Sequence, residues 1–165
     1  MIRYKNYSNV IDSIKCIGDS LYNVKTVTTG DLFEIDLSKN TLYPLLHLIT
    51  ENVNVAMSTQ TFNIRIFVMD LVEPDLSNEQ DVQSDTYQTI VDIIGLLKHG
   101  EILYGYNTVA GEEQRYFIDD SFTVEPFTER FESNVTGWTC SIPIIVESVL
   151  DTCDIPHDNT ALCTK

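Results

Sequence analysis

Acidic side chains are the residues of this chain best suited to chemistry, and they gather between Asp70 and Asp81. Five carboxylates fall within these 12 residues, and carboxylate oxygens are the ligands that Ca²⁺ and Mg²⁺ prefer. A calcium-binding EF-hand loop starting at Asp75 requires Gly at its sixth position and Glu at its twelfth, where this chain has Gln80 and Thr86. Acids are also favoured at a helix start by the helix dipole. The sequence therefore predicts a solvated loop and helix start here.

Two other groups of residues have metal-binding side chains. Pro74-Asp75 followed by Glu113-Gln114-Arg115 distantly resembles the Pro-Asp and Glu-x-Lys signature of metal-dependent nucleases, in which two carboxylates hold Mg²⁺. The second motif ends in arginine, which does not readily replace lysine in proton transfer. Cys153, His157 and Cys163 have zinc-binding side chains, but their spacing matches no standard zinc site. We expect no metal or cofactor.

No motif for nucleophilic catalysis or nucleotide binding is present. The chain lacks the Gly-x-Ser-x-Gly elbow, the Walker loop and Gly-x-Gly-x-x-Gly. His47, His99 and His157 fall in a predicted strand, a helix end and the C-terminal tail, with no evident catalytic partner. The four cysteines form neither a Cys-x-x-Cys pair nor a disulfide framework, so reduced thiols are expected. We therefore expect a protein that is not an enzyme.

Charge is distributed unevenly along the 165 residues. The chain has 25 acidic and 10 basic residues and a net charge of −15. Residues 1–69 carry six acids and six bases, whereas residues 70–132 carry fifteen acids and three bases. Such a surface repels polyanions and attracts basic partners, so tight binding of nucleic acid is not expected. A surface that serves only solubility would have the same excess of acids.

Length and composition predict one domain over residues 1–148, followed by an extended or disordered tail over residues 149–165. No apolar run approaches the roughly 18 to 20 residues of a membrane span. The N-terminus also lacks the apolar core of a signal peptide. A cytosolic setting without membrane contact is therefore expected.

Apolar periodicity predicts two amphipathic helices and several strands. The helices are Tyr4–Tyr22 and about Glu79–Lys98, the second with Ser77 or Asn78 as N-cap and Gly100 just beyond its end. The predicted strands are a short one within Val24–Asn40, then Tyr43–Thr50, Thr61–Leu71, Ile102–Val109, Tyr116–Phe127 and Gly137–Ser148, with Glu51–Gln60 as the polar tip of a long hairpin. This order predicts an α+β fold with a mixed, mostly antiparallel sheet flanked by two main helices.

The last predicted strand contains the single tryptophan, Trp138, and an internal proline, Pro143. A proline inside a strand usually marks a sheet edge or a bulge. An edge strand with apolar neighbours suits a subunit interface, although a core strand beside a bulge fits the same pattern. Trp138, Ile142 and Pro143 are therefore candidate interface residues.

The order and hydrophobic texture of these elements resemble the small neck proteins of tailed bacteriophages, nearest to tail terminator and head-tail joining proteins, including those of crAss-like phages of Bacteroides-type hosts. The likeness covers residues 4–148 and rests on element order more than on an exact motif. It lies in the N-terminal helix, the hairpin from Tyr43 to Asp70, the helix from Ser84 to Leu97, and the ending Phe127, Phe131, Gly137-Trp138 and Ile142-Pro143-Ile144.

The resemblance implies a structural virion protein with no catalytic residues. Such proteins form a closed ring, commonly six-fold, that caps the tail tube, joins it to the connector and portal proteins, and leaves a channel for DNA. The expected location is the neck or tail of the virion, and the host cytoplasm during assembly. Another neck or tail component, such as a connector adaptor or tube protein, is the nearest alternative. A metal-dependent nuclease using Asp75 and Glu113 is the alternative from another class.

A closed ring requires two different, complementary patches on each subunit. The acids of the middle segment are candidates for lining a DNA channel, where carboxylates keep the affinity for phosphates low. They are equally candidates for docking onto a basic ring partner. The candidate residues are Asp75, Glu79, Asp81, Glu112, Glu113, Asp119 and Asp120.

Overall fold

The computed structural model describes residues 6–31, 41–99, 116–130 and 134–147. The elements in chain order are α1 (Asn6–Ser20), β1 (Thr26–Thr29), β2 (Leu45–Val55), β3 (Thr59–Leu71), α2 (Glu79–His99), β4 (Tyr116–Ile118), β5 (Val124–Arg130) and β6 (Asn134–Glu147). The six strands form one sheet in the order β1-β2-β3-β6-β4, with β5 pairing with β6 on the same side as β4. The β1–β2 pair is parallel and the other four pairs are antiparallel. The predicted α+β fold is confirmed.

Both helices pack against the same face of the sheet. Ile14 of α1 and Ile93 of α2 are fully buried, together with Ile66 of β3 and Ile142 of β6, in one hydrophobic core. The spacing of three and four residues that predicts the helices is the spacing that puts one apolar stripe of each helix on this core. The other face of the sheet, here called the open face, has a smaller buried cluster of Leu45, Phe67, Met69 and Val135.

The strands of the long hairpin extend further than predicted. β2 continues to Val55 and β3 begins at Thr59, so the tip is residues 56–58 instead of Glu51–Gln60. The Asn63 side-chain amide donates a hydrogen bond of 2.6 Å to Asn52 Oδ1 across the two strands. Polar residues that suggest a loop are thus paired within the ladder, where cross-strand side-chain contacts stabilise a sheet.

The predicted strand Tyr116–Phe127 is interrupted. Ile118 of β4 lies opposite Ile144, and Val124 of β5 lies opposite Cys140. Residues 119–123, here called the β4–β5 loop, therefore lie opposite only three residues of β6, 141–143, and leave the ladder. The sequence Asp-Asp-Ser at the start of this loop has low strand propensity, and Pro143 has no backbone N–H to donate.

Several predictions lie wholly or partly outside the described residues. They concern the strand Ile102–Val109, the tail 149–165, residues 32–40 of the segment Val24–Asn40, residues 4 and 5 of the first predicted helix, and residue 148 of the last predicted strand. Within Val24–Asn40 the described part contains β1, so the short strand predicted there is confirmed. No helix in the described ranges is long and apolar enough to cross a membrane.

Candidate assembly surface

The candidate acids are divided between the two ends of α2. They are Asp75, Glu79 and Asp81, in or just before the first turn of the helix, and Asp119 and Asp120, in the β4–β5 loop beside its last turn. Lys98 in the last turn of α2 fixes that loop, because its Nζ donates to the Asp120 carbonyl and lies 5.3 Å from the Phe122 ring centroid. At 1.5 Å per residue, the 21 residues of α2 separate the two groups by about 30 Å. Glu112 and Glu113 lie outside the described residues.

The acids before α2 shape their own loop. The Ser77 N–H donates to Asp75 Oδ1 at 3.1 Å, and the Ser77 hydroxyl donates to Glu73 Oε2 at 3.0 Å. Asn78 precedes the helix as predicted, but its Oδ1 accepts a hydrogen bond from the Glu73 N–H at 2.8 Å. No group of three or more possible metal ligands is present among the described residues. These contacts give the Asp75 carboxylate a role in the turn.

His47 is buried in the sheet and forms hydrogen bonds with Thr28 of β1 and with Gly30 just after it. Its Nε2 donates to the Gly30 carbonyl at 3.0 Å, and its Nδ1 lies 2.7 Å from the Thr28 hydroxyl. Because a carbonyl oxygen only accepts, Nε2 carries the proton, and Nδ1 accepts from Thr28 in the neutral ring. His47 therefore connects β1 to β2, and its side chain is 1% exposed.

Trp138 lies inside the subunit, so its prediction as a sheet-edge residue is wrong. β6 pairs with β3 along its length and with β5 and β4 on its other side. The Trp138 Nε1 donates to the Gln83 carbonyl of α2 at 2.8 Å, and its ring meets the Tyr87 ring edge-on with centroids 5.2 Å apart. A proline does not require a strand to be at the edge when the neighbouring strand is locally interrupted. Trp138 fastens α2 to the sheet.

The other two candidate interface residues lie where the β4–β5 loop leaves β6. Ile142 is fully buried in the core. Pro143 is half-buried and lines a cavity of about 320 Å³ between β6 and the loop. The cavity is also lined by Arg65, Asp119 and Glu125. Between the stretches of β6 that pair with β5 and with β4, only residues 141–143 lack a paired strand on this side, and the β4–β5 loop lies beside them.

The outer half of the hairpin is an exposed, uncharged surface. Residues 52–64 contain no charged side chain, although the chain as a whole has a net charge of −15. Val53, Val55 and Met57 are 38%, 62% and 78% exposed. β1 pairs only with residues 45–48 of β2, so in the described ranges no strand pairs with the outer edge of residues 50–55. This edge, here called the hairpin edge, presents backbone groups on which another strand can be added.

A β-bulge at the start of the hairpin edge determines which side chains share a face. Thr50 pairs with Ile64, whereas the next paired residue of β2 is Asn52, so Glu51 is an extra residue. The Glu51 carboxylate lies 2.7 Å from Arg65 Nε and accepts a 2.5 Å hydrogen bond from the Ser141 hydroxyl on the open face. The extra residue reverses the alternation beyond it, which puts the valines of the edge on the helix-bearing face.

The opposite edge of the sheet is protected against strand addition. β4 has three residues, and the β4–β5 loop interrupts the edge. Pro126 in β5 has no N–H to donate, and Glu125 beside it is exposed. Short strands, prolines and charges are the features that prevent edge-to-edge pairing. The described part of the sheet therefore has one edge suited to a partner strand.

Cys16 and Cys140 are free thiols in very different surroundings, the first exposed and the second buried in the core. Burial raises the pKa of Cys140 to about 11, with Arg65 opposing and Glu125 adding to the rise. At pH 8 about one Cys140 thiol in a thousand is then ionised, and the thiolate is the reactive form.

We expect iodoacetamide to alkylate Cys140 of the folded protein at least about a hundredfold more slowly than Cys16 at pH 8. The rate for Cys140 should rise about tenfold per pH unit up to pH 10, because the thiolate fraction rises by that factor. Timed alkylation followed by peptide mass spectrometry measures both rates. Equal rates at pH 8 would contradict the buried position of Cys140.

Comparison with known proteins identifies no family, since no protein-family model and no curated protein matches this chain. The features of this chain that bear on its function are its charge distribution, the edges of its sheet and its order of elements. Of these features, the hairpin edge has the most specific consequence, because it can pair with a strand from another chain.

Proposed function

We propose that this chain is a structural subunit of a bacteriophage neck or tail, a tail terminator or head-tail joining component. It assembles into a ring that caps the tail tube and leaves a channel for DNA. The observation that carries the proposal is the exposed hairpin edge, whose one charged side chain, Glu51, is paired with Arg65, in a strongly acidic subunit. Copies that each carry a net charge of −15 repel one another, and a contact through uncharged surface avoids adding close like-charge pairs to that repulsion.

The acids at the two ends of α2 supply the ring with two negative surfaces. Carboxylates that face the channel keep the affinity for DNA phosphates low, because they repel the phosphates and release no counterions from them. Carboxylates that face a basic ring partner steer its approach. Because the two groups are about 30 Å apart along α2, one end can serve the channel while the other serves docking.

The proposal predicts a discrete ring in solution. The 18.7 kDa chain should elute as a species of about six subunits, with a central opening in negative-stain images. Light scattering on the eluting peak measures the mass. A protein that remains monomeric, also when mixed with candidate tail-tube and connector proteins, would contradict the proposal.

Two valine variants separate the hairpin edge from general surface effects. Val53 in the hairpin edge and Val91 on α2 are each 38% exposed, so lysine adds the same charge at equal exposure. Val53→Lys should shift the species to a monomer because the charge must be desolvated at the contact. Val91→Lys should leave the mass unchanged. Equal behaviour of the two variants would remove the hairpin edge from the interface.

A further inference from the structure

We infer that residues 159–164 of a neighbouring copy complete the hairpin edge as an added strand beside β2. The inference deepens the proposed function and rests on it, because a ring subunit needs a directional contact between one copy and the next. It names the partner of the hairpin edge as a segment of this same chain.

The shape and chemistry of the edge restrict what can bind to it. No described strand pairs with the outer side of residues 50–55. Backbone N–H and C=O groups along such an edge are satisfied by another extended chain, with alternating donors and acceptors. The flanking residues 52–64 are uncharged, so a strand carrying acids or bases would place unpaired charges against Val53 and Val55. The occupant is therefore an extended, uncharged stretch of about six residues.

The chain itself contains such a stretch beyond β6. β6 ends at Glu147, which lies opposite Thr59 beside the hairpin tip. The 18 residues from Ser148 to Lys165 follow, and fully extended they would span up to about 60 Å. Their longest uncharged stretch is Asn159–Thr164, which equals the six residues of the hairpin edge in length.

Ring closure favours the edge of a neighbour over the edge of the same subunit. Residues 159–164 and the hairpin edge are two different parts of the chain, and joining one to the other between copies gives a head-to-tail contact that can close on itself. Binding within one subunit would use both surfaces and leave no link to the next copy. The protected β5 edge offers no substitute.

Strand periodicity predicts which side chains meet. With Leu162 on the same face as Val53 and Val55, Cys163 falls on the opposite face beside Asn52 and Asn54. In the register that puts Cys163 opposite residue 54, a cysteine introduced there would lie within disulfide distance of Cys163 from the neighbouring copy.

The test is Asn54→Cys in full-length protein that also carries Cys16→Ser and Cys153→Ser, while the buried Cys140 is retained. Mild oxidation should give a ladder of covalent multimers on a non-reducing gel, with at least tenfold more cross-linked dimer than a Val91→Cys control in the same background. Monomer-sized protein with its thiols consumed would show a contact within one subunit, and absence of cross-linking would show none. Either result would overturn the inference.

Removing residues 159–165 gives a second test that does not depend on cysteine chemistry. In light scattering the shortened protein should have the mass of a monomer instead of a ring. Its unfolding midpoint should equal that of the Val53→Lys monomer. Retained rings would overturn the inference and leave the neck function standing. Cross-linked open chains without closed rings would support the inference and argue against the ring function.

Discussion

Gly137→Ala is expected to lower the free energy of unfolding by at least about 3 kcal/mol, because the added methyl group would collide with backbone atoms of the neighbouring strand. A Cβ on residue 137 would lie 1.9 Å from the Val68 carbonyl oxygen and 2.9 Å from Met69 Cα. Both atoms belong to β3, which pairs with β6 over 13 residue positions. A flexible side chain could move aside, but these atoms cannot move without disturbing the ladder. Glycine is needed for this close approach of two strands.

The matched control is Gly95→Ala in α2. A Cβ at residue 95 meets no atom within 4 Å, so alanine should raise the free energy of unfolding by about 0.5 to 1 kcal/mol through its higher helix propensity. Urea unfolding followed by circular dichroism measures both variants at one protein concentration. An unchanged midpoint for Gly137→Ala would mean that β3 and β6 are not packed as described.

The helices and the fold class are predictable from the sequence because their signals are local. The spacing of apolar residues places the start of α2 at Glu79 and its end within one residue of His99. The hairpin strands are recognisable for the same reason, but their outer ends are not. Asn52 and Asn54 suggest a loop until Asn63 is seen to pair across the strands, a contact between residues separated in sequence.

The candidate assembly surface is less predictable because it depends on which strands are neighbours. The rule that places proline at a sheet edge selects the strand of Trp138 and Pro143, whereas the structure puts the proline at a local gap between β4 and β5. The signals for the hairpin edge are present in the sequence as Asn-Val alternation and 13 uncharged residues. They indicate an open edge only once the structure shows that β1 ends at Thr29, opposite Leu48.

The same dependence on tertiary structure separates the candidate acids. The sequence does not distinguish Asp75 from Asp119, since both belong to the acidic middle segment, residues 70–132. The length of α2 and the contact of Lys98 with the β4–β5 loop place them at opposite ends of one helix. An acidic segment in the sequence thus becomes two acidic ends in the fold.

Trp138→Ala is expected to lower the free energy of unfolding of the isolated subunit by about 2 to 4 kcal/mol, as for other large aromatic truncations. The variant loses the hydrogen bond from Nε1 to the Gln83 carbonyl and the contact with the Tyr87 ring. Trp138→Phe keeps an aromatic ring against Tyr87 but loses the donor, so a smaller loss of about 1 to 2 kcal/mol is expected. Circular dichroism in urea is the measurement, since both variants remove the single tryptophan.

Measuring these variants in the Val53→Lys background, which is expected to be monomeric, separates an internal role of Trp138 from a role between subunits. If Trp138 fastens α2 to β6, the loss of stability is the same in the monomer as in the assembled protein after allowance for assembly. A double-mutant cycle with Tyr87→Ala should then give a coupling energy of about 0.5 to 1.5 kcal/mol for the ring pair. If Trp138 instead contacts a neighbouring copy, monomer stability stays unchanged and only the ring mass falls. That outcome would restore the tryptophan to the interface and would require α2 to be held on the sheet by its core residues alone.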